Sequence, residues 1–400
     1  MRAPLMSFHD VDLLDLNIHI DNPEPLYEWL REEEPLFWDQ HNEVWAASRY
    51  EDVIFISRNT DIFCSKYGVV PNIDLDTWPD DAMINKDGRD HTVQRALVSK
   101  GFSPRNIREM EVRVRELTVE LIDKIAGEGS CDVVAALARP LPMLVMGDML
   151  GYTRDTSDMV LDWTDTYVAG GNGPQHLTDD IVMAFGSFVM FHEELMESRR
   201  ENPGDDLLST WMKAEINGER LTDEKIMYEH NLLLVGGSET TRHTISGGLL
   251  QLMRHPEQRQ HLIDHPEAIP NAVEEIIRWT TPFIRMARHL TRDHELHGKV
   301  MKAGQQVMML YPSANRDPRI WDRPQEFDIT RSFSKPALSF GFGKHYCLGA
   351  ALARMEIKVM LEELLKRIPD MAESPDQPSA FKPGCFLRGL ERLPVVFTAR

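Results

Sequence analysis

A cysteine set among glycines constrains this 400-residue chain more than any other feature. Cys347 lies in the run Phe340-Gly-Phe-Gly-Lys-His-Tyr-Cys-Leu-Gly349, directly before a helical pattern of apolar residues. The positive end of that helix and neighbouring N–H groups favour a thiolate, the form in which cysteine binds a metal. The glycines remove side chains where a flat cofactor would approach the backbone. The run therefore predicts a loop that supplies one axial thiolate.

Other interpretations of this run stay open on the residues alone. A free cysteine is usually a small buried apolar residue. Cys64, Cys131 and Cys385 form no zinc-binding or paired spacing with Cys347. A dinucleotide-binding loop is excluded, because Tyr346 stands where the third glycine is needed.

The run resembles the haem-binding signature of the cytochrome P450 superfamily at Phe340, Gly343, Cys347 and Gly349. The resemblance implies haem b with Cys347 as its axial thiolate ligand. It also implies that loop residues beside the cysteine contact the cofactor, namely Phe340, Gly341, His345 and Gly349.

Composition narrows the classes of protein that remain. A net charge of -20 opposes nucleic-acid binding, which needs clustered Lys and Arg. No stretch reaches the apolar length of a membrane span, and the first ten residues lack the apolar core of a signal peptide. We therefore expect a cytoplasmic protein without membrane insertion, acting as a monomer.

The periodicity of apolar residues predicts a mainly α protein with small β-sheets, built as one domain over residues 1–400. The predicted helices are 105–126, 181–200, 222–255, 267–279 and 348–368. Predicted strands lie near the chain ends, at 36–38, 44–47 and 386–397. The resemblance implies the cytochrome P450 fold, with haem between an oxygen-binding helix and the cysteine loop.

The long predicted helix contains a local conflict at Gly236-Gly237-Ser-Glu239-Thr240-Thr. Two glycines inside a helix cost about 1 kcal/mol each relative to alanine, and threonine competes for backbone carbonyls. The pattern predicts a helix that opens locally, although a merely kinked helix also fits. This segment resembles the family's oxygen-binding motif, which implies that Thr240 holds the oxygen and Glu239 supplies protons.

Charged residues elsewhere match further family elements. Glu275 and Arg278 share one helical face, and the resemblance implies that Arg331 joins them in a structural ion network. It also implies that four cationic side chains hold the haem propionates: His91, Arg95, Arg288 and His345.

The resemblance implies a monooxygenase that inserts one atom of O2 into a C–H bond of a small apolar substrate. No flavin, nicotinamide or iron–sulfur motif is present, so electrons from NAD(P)H are expected through a separate ferredoxin and ferredoxin reductase. The predicted ferredoxin face carries five basic residues: Lys100, Arg105, Lys344, Arg354 and Lys358. A peroxygenase and a non-catalytic haem-thiolate lipid binder or sensor are the alternatives.

The substrate is predicted from family positions that are mostly apolar in this chain. The run from Gly237 to Gly248 and the ending from Gly389 to Phe397 are similar to actinobacterial hydroxylases of steroid side chains and methyl-branched lipids. A terpenoid is the near alternative. The predicted pocket consists of Trp78, Met83, Trp163, Tyr167, Met183, Val235, Ile284 and Phe386.

Overall fold

The computed structural model describes residues 8–20 and 22–400. The first seven residues, where no signal peptide is predicted, lie outside the described residues. The helices are α1 Glu24–Glu32, α2 Tyr50–Arg58, α3 Gly88–Val98, α4 Pro104–Ile125, α5 Pro140–Leu150, α6 Arg154–Tyr167, α7 Asp179–Glu201, α8 Leu207–Lys213, α9 Asp223–Leu234, α10 Thr240–Arg254, α11 Pro256–Asp264, α12 Ile269–Thr280, α13 Tyr311–Ala314 and α14 Ala350–Arg367.

The strands are short and form small sheets. They are β1 Leu36–Asp39, β2 Val44–Ala47, β3 Phe63–Cys64, β4 Ser130–Asp132, β5 Glu215–Ile216, β6 Glu219–Arg220, β7 Arg285–Leu290, β8 His294–Leu296, β9 Lys299–Met301, β10 Gln306–Leu310, β11 Ala372–Glu373, β12 Ala380–Phe381, β13 Leu390–Arg392 and β14 Pro394–Val396.

Side-chain caps explain where the long helices begin. The Ser103 hydroxyl accepts a hydrogen bond from the Asn106 N–H at 3.1 Å, one turn into α4. The Thr222 hydroxyl accepts from the Lys225 N–H at 3.2 Å at the start of α9. Each cap satisfies an N–H that has no partner within its helix.

A π-helical turn, Val235–Glu239, joins α9 to α10 at the predicted Gly-Gly position. The predicted helix over 222–255 is therefore one continuous path with a widened turn in its middle. Helices α12 and α14 pack against α10. This arrangement buries most of α10, including Ile245, Leu249 and Leu252.

The largest sheet has the strand order β1-β2-β10-β7-β3. Strand β10 pairs with β2 in parallel and with β7 antiparallel, with Met308 opposite both Ala46 and Ala287. Strands β7 and β10 come from the middle of the chain, so the prediction that strands lie near the ends is incomplete. Residues on β7 alternate between the two faces of this sheet, which places Met286 and Arg288 on the same side.

Within the described ranges, no single helix is both long and apolar enough to cross a membrane. One pair of segments, 134–150 and 154–172, meets that criterion only when joined, and it is bent by 119°.

Candidate active site

A cavity of about 330 Å³ lies between the Val235–Glu239 turn and the glycine-rich cysteine segment. Gly236, Gly237 and Thr240 line one side, while Cys347 and Leu352 line the other. Two segments far apart in sequence therefore face each other across one space. This is the arrangement that a flat cofactor held from both faces requires.

The cysteine segment is shaped by its backbone. The Cys347 N–H donates to the Phe340 carbonyl at 2.9 Å, which closes the loop. Gly341 and Gly343 have φ values of +67° and +74°, and a Cβ at Gly343 would lie 2.9 Å from the Ser57 carbonyl oxygen. Only glycine takes both conformations without strain. Local backbone geometry therefore fixes where the thiol stands.

The Cys347 thiol is surrounded by groups that act on its charge in opposite directions. Burial raises its pKa, whereas the N–H groups of Gly349 and Ala350 and the charges of Arg95 and Arg354 act to lower it. The net shift is upward. A metal ion bound to the sulfur would stabilise the thiolate further, so the donor set fits iron at this position.

Two arginine side chains reach one edge of the cavity, where the carboxylate of Asp87 lies 3.9 Å from His345 Nε2. Arg95 and Arg288 line the cavity, and neither forms an ion pair within the described part of the chain. Burial lowers the pKa of both guanidinium groups. A buried cation without a counter-ion is costly, so this edge fits an anionic ligand.

Two imidazoles complete the same edge. His91 and His345 have ring centroids 4.2 Å apart, and His91 Nε2 has no hydrogen-bond partner among the described residues. Burial lowers the pKa of His91 to about 4, so this ring is neutral near neutral pH. A neutral imidazole can still donate an N–H hydrogen bond to a carboxylate. The residues present therefore fit haem, with its propionates at this edge.

The opposite wall is opened by the π-helical turn. The Thr240 hydroxyl donates to the Gly236 carbonyl at 2.6 Å, across the widened turn. A Cβ at Gly237 would lie 2.7 Å from the Met146 sulfur, whereas a Cβ at Gly236 would meet no atom within 4 Å. A side chain at position 237 would therefore displace the Met146 thioether of α5. Gly236 leaves open space beside the Thr240 hydroxyl.

Known proteins show which family has this arrangement. Residues 174–369 match the family model of cytochrome P450. A steroid C26-monooxygenase of Mycolicibacterium smegmatis is 38% identical over 397 residues, which cover 98% of each chain. The chain belongs to the cytochrome P450 family. A methyl-branched lipid omega-hydroxylase of Mycobacterium bovis is 36% identical over 420 residues, covering 99% of this P450 and 96% of that protein.

Solved P450 structures agree with the fold. CYP109Q5 from Chondromyces apiculatus superimposes with a TM-score of 0.88 at 30% identity, covering 98% of this chain and 100% of that one. CYP109E1 from Bacillus megaterium in complex with testosterone gives a TM-score of 0.83 at 32% identity, covering 94% and 99%. The predicted fold class and the monooxygenase activity are confirmed. The cofactor of this family is haem with a cysteine thiolate, and its oxidant is O2.

Glu239 lies behind the cavity wall of this P450 and does not line the cavity. It is 1% exposed, and Arg242 Nη1 donates to its Oε1 at 3.1 Å and to Asp165 Oδ1 at 2.7 Å. Burial raises the pKa of Glu239 to about 7. Asp165 lies on α6 and is partly exposed. The sequence motif contained no signal for Asp165, because it comes from a separate helix.

The structure brings Glu275, Arg278 and Arg331 together. Arg278 donates to both Glu275 oxygens at 2.7 Å, and Arg331 Nε donates to Oε2 at 3.0 Å. Arg278 Nη1 also donates to the Asn315 carbonyl at 2.9 Å. The Asn315 side chain accepts the Leu338 N–H at 2.7 Å. The buried network therefore reaches the segment that leads into the cysteine loop.

The cavity wall differs from the predicted substrate pocket at five positions. Met83, Val235 and Phe386 line the cavity. The other five residues do not line it: Trp78, Trp163, Tyr167, Met183 and Ile284.

The physical reason for this correction differs among those five residues. Trp78 and Met183 point to solvent, with exposed fractions of 41% and 69%. Tyr167 packs against Phe185 of α7, with ring centroids 5.7 Å apart. Trp163 packs in the same way against Phe191, and Ile284 is fully buried. Helix α7 therefore covers the α6 aromatic residues.

Proposed function

We propose that this P450 monooxygenase hydroxylates the alkyl chain of a steroid or a methyl-branched lipid. One observation carries the proposal: the cavity wall is mostly apolar, and Met83, Val235 and Phe386 are among its side chains. The relatives named for steroid C26 and branched-lipid omega oxidation support it, since they match over nearly the whole chain. The testosterone complex of CYP109E1 points to the same class of ligand.

The residues of the chain have separate roles in this proposal. When bound, haem with a thiolate ligand supplies the activation of O2 and the oxidation of the C–H bond. Cys347 Sγ is the ligand, and Arg95, Arg288, His91 and His345 hold the propionates. The apolar walls orient the substrate and keep water from the reaction.

Proton delivery is proposed for the Thr240 side of the cavity. The Thr240 hydroxyl lines the cavity and donates its one proton to the Gly236 carbonyl. It can therefore accept a hydrogen bond on the cavity side, or donate one to the oxidant after it turns away from that carbonyl. Glu239, whose pKa is raised to about 7 by burial, can exchange a proton near neutral pH. Arg242 joins Glu239 to Asp165, and the partly exposed Asp165 connects this group to solvent.

The proposed substrate class is tested by binding to the haem-loaded enzyme. Sterols, methyl-branched fatty acids and terpenes are compared for the low-to-high spin change in the haem spectrum, followed by product identification. We expect a sterol or a branched lipid to bind most tightly and to be hydroxylated on its alkyl chain. Tighter binding and turnover of a terpene would favour the terpenoid alternative.

A matched pair of variants ties that binding to the cavity. Val235→Phe narrows the wall and should weaken binding of the best ligand about tenfold. Val182→Phe makes the same change at a half-exposed position on α7 and should leave binding unaltered. If the two variants changed ligand binding equally, the ligand would bind outside this cavity.

Thr240→Ala should uncouple oxygen consumption from product formation. Without the hydroxyl, the hydrogen bond that guides proton delivery is lost, so product formed per O2 consumed should fall about tenfold or more. Thr240→Ser retains the hydroxyl and is the matched control. Oxygen uptake and product are measured together. Unchanged coupling in the alanine variant would remove Thr240 from proton delivery.

A ferredoxin and its reductase are proposed as the electron source, since this chain carries no flavin or nicotinamide motif. Ion pairs within the chain divide the five basic residues of the predicted docking face into two groups. Lys358 pairs with Glu111 at 3.0 Å, Arg354 with Glu274 and Arg105 with Glu109. Lys344 and Lys100 form no ion pair among the described residues, so they are the stronger candidates for attracting an acidic partner.

Lys344→Glu should lower ferredoxin-supported turnover about threefold to tenfold, because a charge at the rim of an interface changes the association rate. Peroxide-supported turnover needs no ferredoxin and should not change. Lys302→Glu makes the same charge change outside the candidate face and is the control. A parallel loss in both assays would show damage to the haem site instead of to docking.

A further inference from the structure

A buried carboxyl group on α9 connects that helix to two other parts of the chain, α3 and the segment 80–86. Glu229 is 1% exposed and lines the cavity from α9. It is seven positions before Gly236 and eleven before Thr240, and all three residues line the same cavity.

One oxygen atom of this carboxyl group accepts hydrogen bonds from two different parts of the chain. Glu229 Oε1 accepts the Met83 N–H at 2.6 Å and the Gln94 side-chain N–H at 2.7 Å. The same Gln94 nitrogen donates to the Asp81 carbonyl at 2.8 Å. Glu229 and Gln94 therefore connect α9 and α3 to the segment 80–86.

The other polar bonds within segment 80–86 are local. The Asp80 carboxylate accepts the Ala82 N–H at 3.0 Å, and the Asn85 side chain donates to the Asp80 carbonyl at 3.3 Å. These bonds shape the segment. Asp81 Oδ2 also lies 4.0 Å from Lys225 Nζ of α9, a longer and partly exposed contact at the start of the segment. The Glu229 carboxyl holds the Met83 N–H itself, so it orients Met83 and Ile84, which the segment contributes to the cavity wall.

The charge state of Glu229 agrees with an accepting role. Burial raises its pKa to about 7, while the hydrogen bonds from Gln94 and from the Met83 N–H act to lower that pKa. The neutral acid retains a carbonyl oxygen that can accept both hydrogen bonds. A carboxamide has the same shape and the same acceptor, so glutamine is a close mimic of this state.

We infer that Glu229 is a positioning residue that sets the substrate-binding wall by fixing segment 80–86 against α3 and α9. It acts through Met83 and Ile84 on which apolar substrate fits, and it leaves the reacting atoms untouched. The inference rests on the proposed function only where substrate affinity is measured. The position of the segment is a separate property that needs no substrate.

The test compares Glu229→Leu, Glu229→Gln and the control Glu224→Leu in the haem-loaded protein. Glu224 is exposed in the first turn of the same helix. Amide hydrogen exchange over residues 82–86 is measured without substrate, and substrate dissociation constants come from the spin change. We expect Glu229→Leu to speed amide hydrogen exchange over residues 82–86 about tenfold and to raise the substrate dissociation constant about tenfold. The kcat at saturating substrate should stay within about twofold of the wild-type value.

Glu229→Gln and Glu224→Leu should both give hydrogen exchange rates and substrate dissociation constants close to those of the wild-type protein. Equal behaviour of the glutamine and leucine variants would overturn the inference, because the acceptor would then be irrelevant. Faster exchange throughout the chain would also overturn it, since the role would be general stability. If no steroid or lipid binds the wild-type enzyme, the proposed substrate fails while the exchange result still decides the positioning of segment 80–86.

Discussion

Cys347→Ser should lose the thiolate-specific red-shifted absorption of the reduced carbon monoxide complex and essentially all monooxygenase activity. Serine has nearly the same shape, so the loop closed by the 347 N–H and the Phe340 carbonyl should form as before. A hydroxyl does not supply the soft, electron-rich sulfur that favours O–O cleavage. The variant therefore separates the shape of the loop from the chemistry of its ligand.

The control for this result is Cys131→Ser. Cys131 lies on β4, where it pairs with Val395 of β14, and it does not line the cavity. We expect this variant to keep the absorption and the turnover of the wild-type enzyme. Haem content is measured in both proteins, so that loss of ligation is distinguished from loss of cofactor. Red-shifted absorption in Cys347→Ser would contradict sulfur ligation by Cys347.

The sequence was most informative where the backbone itself is unusual. The glycines at 341 and 343 and the Gly-Gly pair at 236 violate ordinary preferences for a loop or a helix, and such violations are visible in a single chain. Both predicted segments face the same cavity. Their pairing across the cavity depended on the resemblance, because no local pattern in the sequence joins residues 236 and 347.

Strands β7 and β10 of the largest sheet were missed for a different reason. Strand β10, Gln306–Leu310, is buried along its whole length, so its residues form a short apolar run without alternation. Such a run does not distinguish a buried strand from a buried helix. Its two methionines have no strong preference for strands. The pairing with β2 and β7 decides the assignment, and the residues of β2 lie more than 200 positions away.

The directions in which side chains point were also not predictable from the sequence. Trp163 and Tyr167 are apolar residues at positions where the family contacts its substrates, so the resemblance favoured them as pocket residues. In the structure they face α7 instead. Glu229 was missed because an isolated glutamate in a helix usually points to solvent. Its role depends on Met83 and Gln94, which lie in other elements.

Glu275→Ala is expected to lower the free energy of unfolding by about 3–5 kcal/mol. The substitution leaves Arg278 and Arg331 without a carboxylate, and these side chains are 0% and 5% exposed. Since folded proteins are stable by only about 5–15 kcal/mol, the loss should be large in thermal or denaturant unfolding. It should also accelerate haem release, because Arg278 is joined through Asn315 to Leu338.

The adjacent residue provides a matched control for this effect. Glu274 pairs with Arg354, but both side chains are about one-third exposed, at 32% and 34%. A partly solvated pair contributes about 1 kcal/mol or less, so Glu274→Ala should change unfolding little. Water can solvate the arginine left at the surface, whereas the two buried arginines have no such replacement. If the two variants lost comparable free energies of unfolding, burial would not be the reason that the Glu275 network stabilises the fold.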